Sequence, residues 1–306
     1  MTNQTSFPIL KRWIQVAQRR RYIQAYLFIA PLVISFAIFR LYPAFQTLRY
    51  SFYQVELLKQ KTTWVGMENF LGLFEDEIFI RSFINTLKYC LYMVPISAVI
   101  GLVLAVFLNV KFRLSNFFKA VYFSPYITSA VAAAMVWWWL YNPQFGLFNA
   151  ALKLLHLPPQ SWLTSSRQAL ISVIIFSIWK IVGYNIIIFI AGLQTIPDVY
   201  YEAATIDGAG PFTRFFRITL PLLVPTTTFI LIYNTILAFQ VFDQIFVLTG
   251  GGPAHASTVV VLELYQQAFL KYRFGYAAAM AMVLFVCILA ITLVQYVISE
   301  RKEVVY

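Results

Sequence analysis

Long, nearly uninterrupted apolar runs separated by short polar links dominate this chain. Runs at 23–45, 83–110, 117–141, 168–193, 222–248 and 274–298 each reach or exceed the span a helix needs, about 20 residues for a bilayer core about 30 Å thick. The runs are continuous, whereas barrel strands are shorter and alternate in polarity, so a β-barrel is excluded. No internal repeat or low-complexity tract interrupts them. The pattern predicts an all-α integral membrane protein with six transmembrane helices. It divides into a basic N-terminal arm at 1–22, one transmembrane domain at 23–298 and a short tail at 299–306.

Composition supports this division. Of the 306 residues, 60% are hydrophobic and only 11% charged, against about 45–50% and about 25% in an ordinary soluble domain. So much apolar surface cannot be hidden in one water-soluble core. The formal charge of +11 does not point to nucleic acid, because the Lys and Arg residues cluster at the ends of apolar runs and serve topology. Cys90 and Cys287 lie inside apolar runs with no Cys or His at metal-ligand spacing, so neither a disulfide nor a metal site is expected. The start of the chain has no apolar core leading to a small-residue cleavage site, so no removable signal peptide is expected.

Cationic residues set the expected orientation. The arm carries Lys11, Arg12, Arg19, Arg20 and Arg21 without an acid, and the link after the second run carries Lys111, Arg113 and Lys119 without an acid. Both are predicted to face the cytoplasm. The loop at 46–82 mixes Arg49, Lys59, Lys61 and Arg81 with Glu56, Glu68, Glu75, Asp76 and Glu77 and suits the outer face. With six spans, both termini and the loop around Glu202 then lie inside. The segment Ile9 to Val16 is either a helix in the headgroup layer or a solvated basic tail.

Polar side chains inside spans are costly unless they face protein or water. Trp179, Lys180, Tyr184 and Asn185 fall in the fourth run; Asn234, Gln240, Asp243 and Gln244 fall in the fifth. At about 100° per residue, Gln240, Asp243 and Gln244 share one face of a continuous helix, and Asn234 is displaced from it. These eight residues either line a polar translocation path, with amides, a carboxylate and aromatic faces suited to sugar hydroxyls and C–H surfaces, or make hydrogen bonds between helices. Lys180 and Asp243 are candidates for an ion pair, or Lys180 for bonds to backbone carbonyls. Trp137, Trp138, Trp139 and Tyr141 are expected at the outer membrane interface, and Arg40 and Lys88 are expected to reach toward the outer surface. His156 and His255 stand alone in outer loops.

The segment at 194–221 breaks this apolar pattern. It contains Tyr201-Glu202-Ala203-Ala204-Thr205-Ile206-Asp207-Gly208-Ala209-Gly210 and runs on to Arg217-Ile218-Thr219-Leu220-Pro221. Pro197-Asp198 predicts a helix start and Gly208 with Gly210-Pro211 predicts its end. The order and spacing of Glu202-Ala203-Ala204, Gly208 and Ile218-x-Leu220-Pro221 resembles the inner-face signature of bacterial ATP-binding-cassette importer permeases. Further stretches are similar to the carbohydrate branch of that family: Trp64 to Phe70, Trp139 to Pro143 with Gly146-Leu147, Trp179-Lys180, Gly192 to Pro197, and Phe239 to Gln244 leading to Thr249-Gly250-Gly251-Gly252-Pro253.

The resemblance implies a type I importer fold and a coupling helix that docks on separate ATPase subunits, with Tyr201, Glu202, Ala203, Ala204, Asp207 and Gly208 at the contact. It implies a second permease subunit of different sequence, two ATP-binding-cassette subunits that bind ATP and Mg, an extracellular solute-binding protein, and residence in the bacterial inner membrane. The substrate would be an oligosaccharide or related polyol, with glycerol 3-phosphate or another polyol derivative as the alternative. Gly250-Gly251-Gly252-Pro253 lacks the Lys and Ser/Thr of a phosphate loop, so this chain is expected to hold no cofactor and to be a transport subunit rather than an enzyme. An ion-coupled transporter, a less favoured class, would use Asp243 as its titrating carboxylate. A membrane enzyme would need clustered acids or histidines, which the two distant histidines do not supply.

Overall fold

A computed structural model describes residues 22, 24, 26–56, 61–110 and 113–300. Nearly all of the basic arm, Lys59, Lys111 and the tail from 301 lie outside the described residues, and with them the expectations placed there. Among the described residues four helices are long and apolar enough to cross a membrane, and two bent pairs bring the number to six if each pair is one span.

Helix α1 (Tyr26–Tyr50) contains a π-helical turn at Ala37–Leu41 and contributes no buried residue to its most apolar window. It leads into an antiparallel hairpin of β1 (Tyr53–Glu56) and β2 (Lys61–Trp64), with Tyr53 paired to Trp64. The side-chain amide of Asn69, on the short helix α2 (Glu68–Glu75), donates to the carbonyls of Ser51 and Tyr53 at 2.9 and 3.1 Å and pins the hairpin. Asp76 then caps α3 (Glu77–Asn109): its carboxylate accepts from the Ile78 and Phe79 amides at 2.9 and 3.2 Å, satisfying two of the donors a helix start leaves open.

The third apolar run is not one straight helix. It divides into α4 (Ser115–Ile127) and α5 (Ala130–Leu140), which meet at 97°. Thr128 and Ser129 are extended at the break, three residues beyond Pro125. Hydropathy reads the length of an apolar run but not its direction, so this corner is invisible to it. A short helix, α6 (Leu147–Leu154), precedes the fourth span, α7 (Ala169–Gln194).

The fifth run also departs from expectation. Its helix begins earlier, as α9 (Pro211–Leu222), bends by 62°, continues as α10 (Val224–Phe239) and stops. Gln240 to Phe242 are non-helical, with Phe242 at φ −140° and ψ −62°, and a separate helix α11 (Asp243–Leu248) follows. The segment α12 (Val260–Tyr265) with its π turn Gln266–Leu270 leads to α13 (Phe274–Glu300), the last span.

Helix α7 is the centre of the bundle. It packs along α3 and α4, and its Val173, Phe176, Ile186 and Phe189 are fully or almost fully buried. Gly183 lets α4 cross backbone to backbone, because a Cβ there would collide with the Tyr122 carbonyl. A second closely packed region joins α3, α7 and the start of α10 through Ala105, Ile186, Leu223 and Ile230, near the loop that links the fourth and fifth spans.

Candidate functional site

Two places gather the polar residues singled out by sequence. The first is the loop between α7 and α9. Pro197, with extended backbone, precedes α8 (Asp198–Ile206), whose first turn carries Asp198 where helix N–H groups favour an acid. The far end closes as a Schellman motif: Gly208 sits at φ 75°, its amide donates to Thr205 O at 3.1 Å, and the Ala209 amide donates to Ala204 O at 2.8 Å.

One side of α8 is tied to the bundle. Ala204 is buried, the Tyr201 hydroxyl shares a 2.9 Å hydrogen bond with Thr219 Oγ1, and Arg214 donates to Thr205 Oγ1 at 3.1 Å. The other side is open. Val199, Glu202, Ala203 and Ile206 are all exposed and recur at i, i+3, i+4 and i+7, so they form one stripe along the helix. Ile206 is 87% exposed and Phe212, just beyond the turn, is 82% exposed. Asp207 and Gly208 are exposed at the same tip. The six loop residues therefore divide: Tyr201 and Ala204 hold the helix, while Glu202, Ala203, Asp207 and Gly208 face outward.

The second place is a cavity of about 290 Å³ where α7 meets the broken end of α10. Lys180, Gln240, Asp243 and Gln244 all line it. Gln240, Asp243 and Gln244 do not share a face of a continuous helix, as their spacing predicted; the interruption at 240–242 turns them into the same space. Met93, Tyr126, Ser177 and Phe242 complete much of the wall and were not singled out by sequence. Ser177 carried a usable signal, since it lies one helical turn before Lys180 in an otherwise apolar stretch.

Among the described residues Lys180 makes no direct salt bridge with Asp243, although both charges line the same cavity. Its Nζ donates to the carbonyls of Pro125, Tyr126 and Thr128 at 3.0, 3.5 and 2.7 Å. These are the carbonyls that the end of α4 leaves without helical partners, where a cation is favoured. Lys180 thus fastens the 97° corner to α7. The Gln244 amide donates to the Tyr89 hydroxyl at 3.2 Å and lies 3.5 Å from Ser177 Oγ.

The other four path candidates stand elsewhere. Asn185 and Asn234 are fully buried, and the Asn234 amide reaches Asn185 Oδ1 at 3.1 Å and Ser97 Oγ at 3.4 Å. They join α3, α7 and α10 and are not among the residues lining the Lys180–Asp243 cavity. Tyr184 stacks between Tyr126 and Tyr233, each with ring centroids 4.8 Å away, and those two hydroxyls share a 2.9 Å hydrogen bond. Trp179 packs against Trp137 at 5.1 Å.

That contact also corrects the aromatic belt. Trp137 and Tyr141 lie inside a ring cluster with Phe148, Trp162 and Phe176, and Tyr141 donates to the Ser172 carbonyl at 2.8 Å; Trp138 and Trp139 are exposed. The loop after α11 is held to α3 by Arg81, which donates to Ala254 O at 2.9 Å, and by Asn85, which donates to His255 O and Thr258 O.

The model of the binding-protein-dependent transport system inner membrane component family matches residues 79–304. The chain belongs to that family. It is 36% identical over 280 residues to the sn-glycerol-3-phosphate transport system permease protein UgpA of Yersinia pestis, covering 90% of this chain and 94% of that protein. The corresponding UgpA of Escherichia coli O157:H7 is 35% identical over the same lengths. In structure, this permease superposes with TM-score 0.82 and 26% identity on a chain of a bacterial ABC transporter involved in import of the acidic polysaccharide alginate, covering 95% of this chain and 99% of that one. A second structure of the alginate transporter, bound to its pentasaccharide-loaded periplasmic protein, matches equally well at TM-score 0.82. This permease is an inner-membrane transport subunit of a binding-protein-dependent ABC importer.

Proposed function

We propose that this permease carries a carbohydrate or polyol derivative through a path lined on its side by the Lys180–Asp243 cavity, driven by separate ATPase subunits that bind ATP and Mg. The observation that carries the reading is the exposed stripe Val199, Glu202, Ala203 and Ile206 on a helix whose opposite side is fastened to the bundle. A short helix with an open apolar and acidic stripe suits insertion into a groove of a soluble partner. The Tyr201–Thr219 link would pass a displacement of α8 to the base of the fifth span. Glu202, Ala203, Asp207 and Gly208 form the contact in this reading, which puts the loop and both termini in the cytoplasm.

The mechanism is alternating access. A loaded solute-binding protein docks on the outer face, ATP closes the motor pair, α8 is carried with it, and the cavity changes the side to which it opens. A second permease subunit of different sequence supplies the opposite wall. The test is ATP-dependent uptake of labelled carbohydrate by the complete importer in liposomes. Accumulation that needs ATP, the binding protein and the ATPase subunits supports the reading; accumulation driven by an ion gradient without them overturns it. A phosphorylated polyol is the second substrate reading, favoured by the transport system named for the 36% identical relative.

A further inference from the structure

We infer that α10 moves inside the subunit as a rigid rod, turning between two positions against α7 and α13, and that this turn carries a displacement of α8 to the wall of the Lys180–Asp243 cavity. The inference rests on the proposed coupling through α8. Both ends of the rod are interrupted. At its base α9 meets it at 62°, with Leu223 at φ −86° and ψ 1° in the bend, and beyond its end residues 240–242 are non-helical. Such element ends are where a packed structure absorbs rotation. Below the bend, Thr219 shares its hydrogen bond with Tyr201 of α8. At the opposite end, Leu237 of α10 and Gln240 just past it line the cavity. A shift of the base is therefore delivered to the cavity wall.

The two seams along α10 are incompletely satisfied as they stand. Among the described residues six buried side-chain nitrogen or oxygen atoms have no hydrogen-bond partner, and four of them belong to these seams. Toward α7, Asn234 donates to Asn185 Oδ1 at 3.1 Å, yet Asn185 Nδ2 and Asn234 Oδ1 are unpartnered, so the amide pair has made one of its two reciprocal bonds. Toward α13, Gln295 donates to Thr235 Oγ1 at 2.9 Å, while its Oε1 and the Thr227 hydroxyl have no partner. A buried polar group without a partner is costly, so a small turn that closes the second amide bond is favoured on that side. Packed helix contacts change by discrete steps rather than by continuous deformation. Room for a step exists: a cavity of about 300 Å³ lies between α10 and α13, lined by Thr227, Leu231, Gln295 and Ile298. A pivot exists too. Thr226, in the first turn of α10, lies directly on Gly192 of α7, where an added Cβ would overlap its side chain, and small residues permit such close crossings in membranes.

The hydrogen-bonded hydroxyls of Thr228 and Ser299 close the α10–α13 seam near its base and supply the test. In the complete importer in liposomes, Cys90 and Cys287 are replaced by serine, Thr228→Cys and Ser299→Cys are introduced, and the rate of disulfide formation under a mild oxidant is compared without nucleotide and with ATP and vanadate. The rate is expected to fall on the order of tenfold with ATP and vanadate, as most molecules leave the arrangement in which the two Cα atoms lie within the roughly 7 Å reach of a disulfide. A control pair away from α10, Thr86→Cys with Val260→Cys, sits where the Val260 amide donates to Thr86 Oγ1 at 3.0 Å; its rate should be the same in both states. Equal rates for the Thr228–Ser299 pair, or no cross-link in either state, overturn the inference. ATP hydrolysis in the same liposomes keeps the two levels apart: equal rates with hydrolysis intact overturn the moving rod alone, whereas no hydrolysis by the wild-type assembly overturns the coupling reading beneath it. Thr227→Val tests the seam without a cross-link. It removes an unpartnered hydroxyl at nearly constant volume, so the melting temperature of the nucleotide-free importer is expected to rise by roughly 2–4 °C. A lower melting temperature would show that the hydroxyl is satisfied and would overturn the incomplete seam.

Discussion

Replacing Gly183 with alanine probes the joint on which the cavity is built. A Cβ at this position would stand 2.6 Å from the Tyr122 carbonyl carbon and 2.8 Å from Phe123 Cα, with the Tyr122 oxygen closer still. Ordinary contact begins at 3.4 Å, so α4 must retreat by at least 0.8 Å, the difference between 2.6 and 3.4 Å. The obstacle is backbone, so no rotamer change relieves it. Overpacking of this kind costs about 1–3 kcal/mol, which at about 2–4 °C per kcal/mol lowers the melting temperature by roughly 2–12 °C. The same retreat draws the Pro125, Tyr126 and Thr128 carbonyls from Lys180, so transport should fall further than stability alone would dictate. The assay is thermal unfolding of the purified complex in detergent, run beside uptake in liposomes. Gly210→Ala is the control: no heavy atom lies within 4 Å of its Cβ position, and its effect should stay within about 0.5 kcal/mol. If Gly183→Ala melts and transports like Gly210→Ala, the close crossing of α4 and α7 is wrong.

Three other substitutions separate roles that the sequence left joined. Asn234→Ala removes bonds between helices, so it should cost about 0.6 kcal/mol, the average for such bonds in membranes, and leave the substrate KM unchanged in uptake assays. Tyr201→Phe deletes the hydroxyl that meets Thr219; stability should fall by about 0.5–1.5 kcal/mol, with the ATPase subunits still co-purifying while uptake per ATP hydrolysed drops. Lys271→Met strips the cation 3.2 Å from Glu263, a side chain at 0% exposure. Because Lys271 itself is 45% exposed, the loss should lie well below the roughly 3–5 kcal/mol of a fully buried pair, and a melting temperature at or above wild type would refute the pairing.

The apolar runs were legible because bilayer thickness imposes a length on each, and helix α8 was legible because Pro197-Asp198 and Gly208 carry its start and stop. The corners were not. Thr128-Ser129 and Gln240 to Phe242 sit inside runs whose summed hydropathy is unaffected by a break, so the third and fifth spans read as straight helices. The cavity followed from the same blind spot: Lys180, Gln240, Asp243 and Gln244 meet because α10 stops at Phe239. Polar identity also could not separate path from packing. Asn185 and Asn234 carry the same amide as Gln240 and Gln244, yet their shorter side chains point into the contact of α3, α7 and α10, where each finds the other. Trp137 and Tyr141 fit the rule for interfacial rings, but Phe148 and Trp162 of the segment before α7 cover them. That contact spans a loop and no local pattern encodes it.

The central claim is that ATP hydrolysis by partner subunits is coupled through the open stripe of α8. Its most direct measurement is the stimulation of ATPase activity by the substrate-loaded binding protein in liposomes containing the complete importer, with wild type compared to Glu202→Lys. The account predicts stimulation in the wild type and its loss in the variant, with the fold of the permease unchanged and ATPase co-purification reporting whether docking or transmission has failed. Full stimulation and uptake with Glu202→Lys would contradict it.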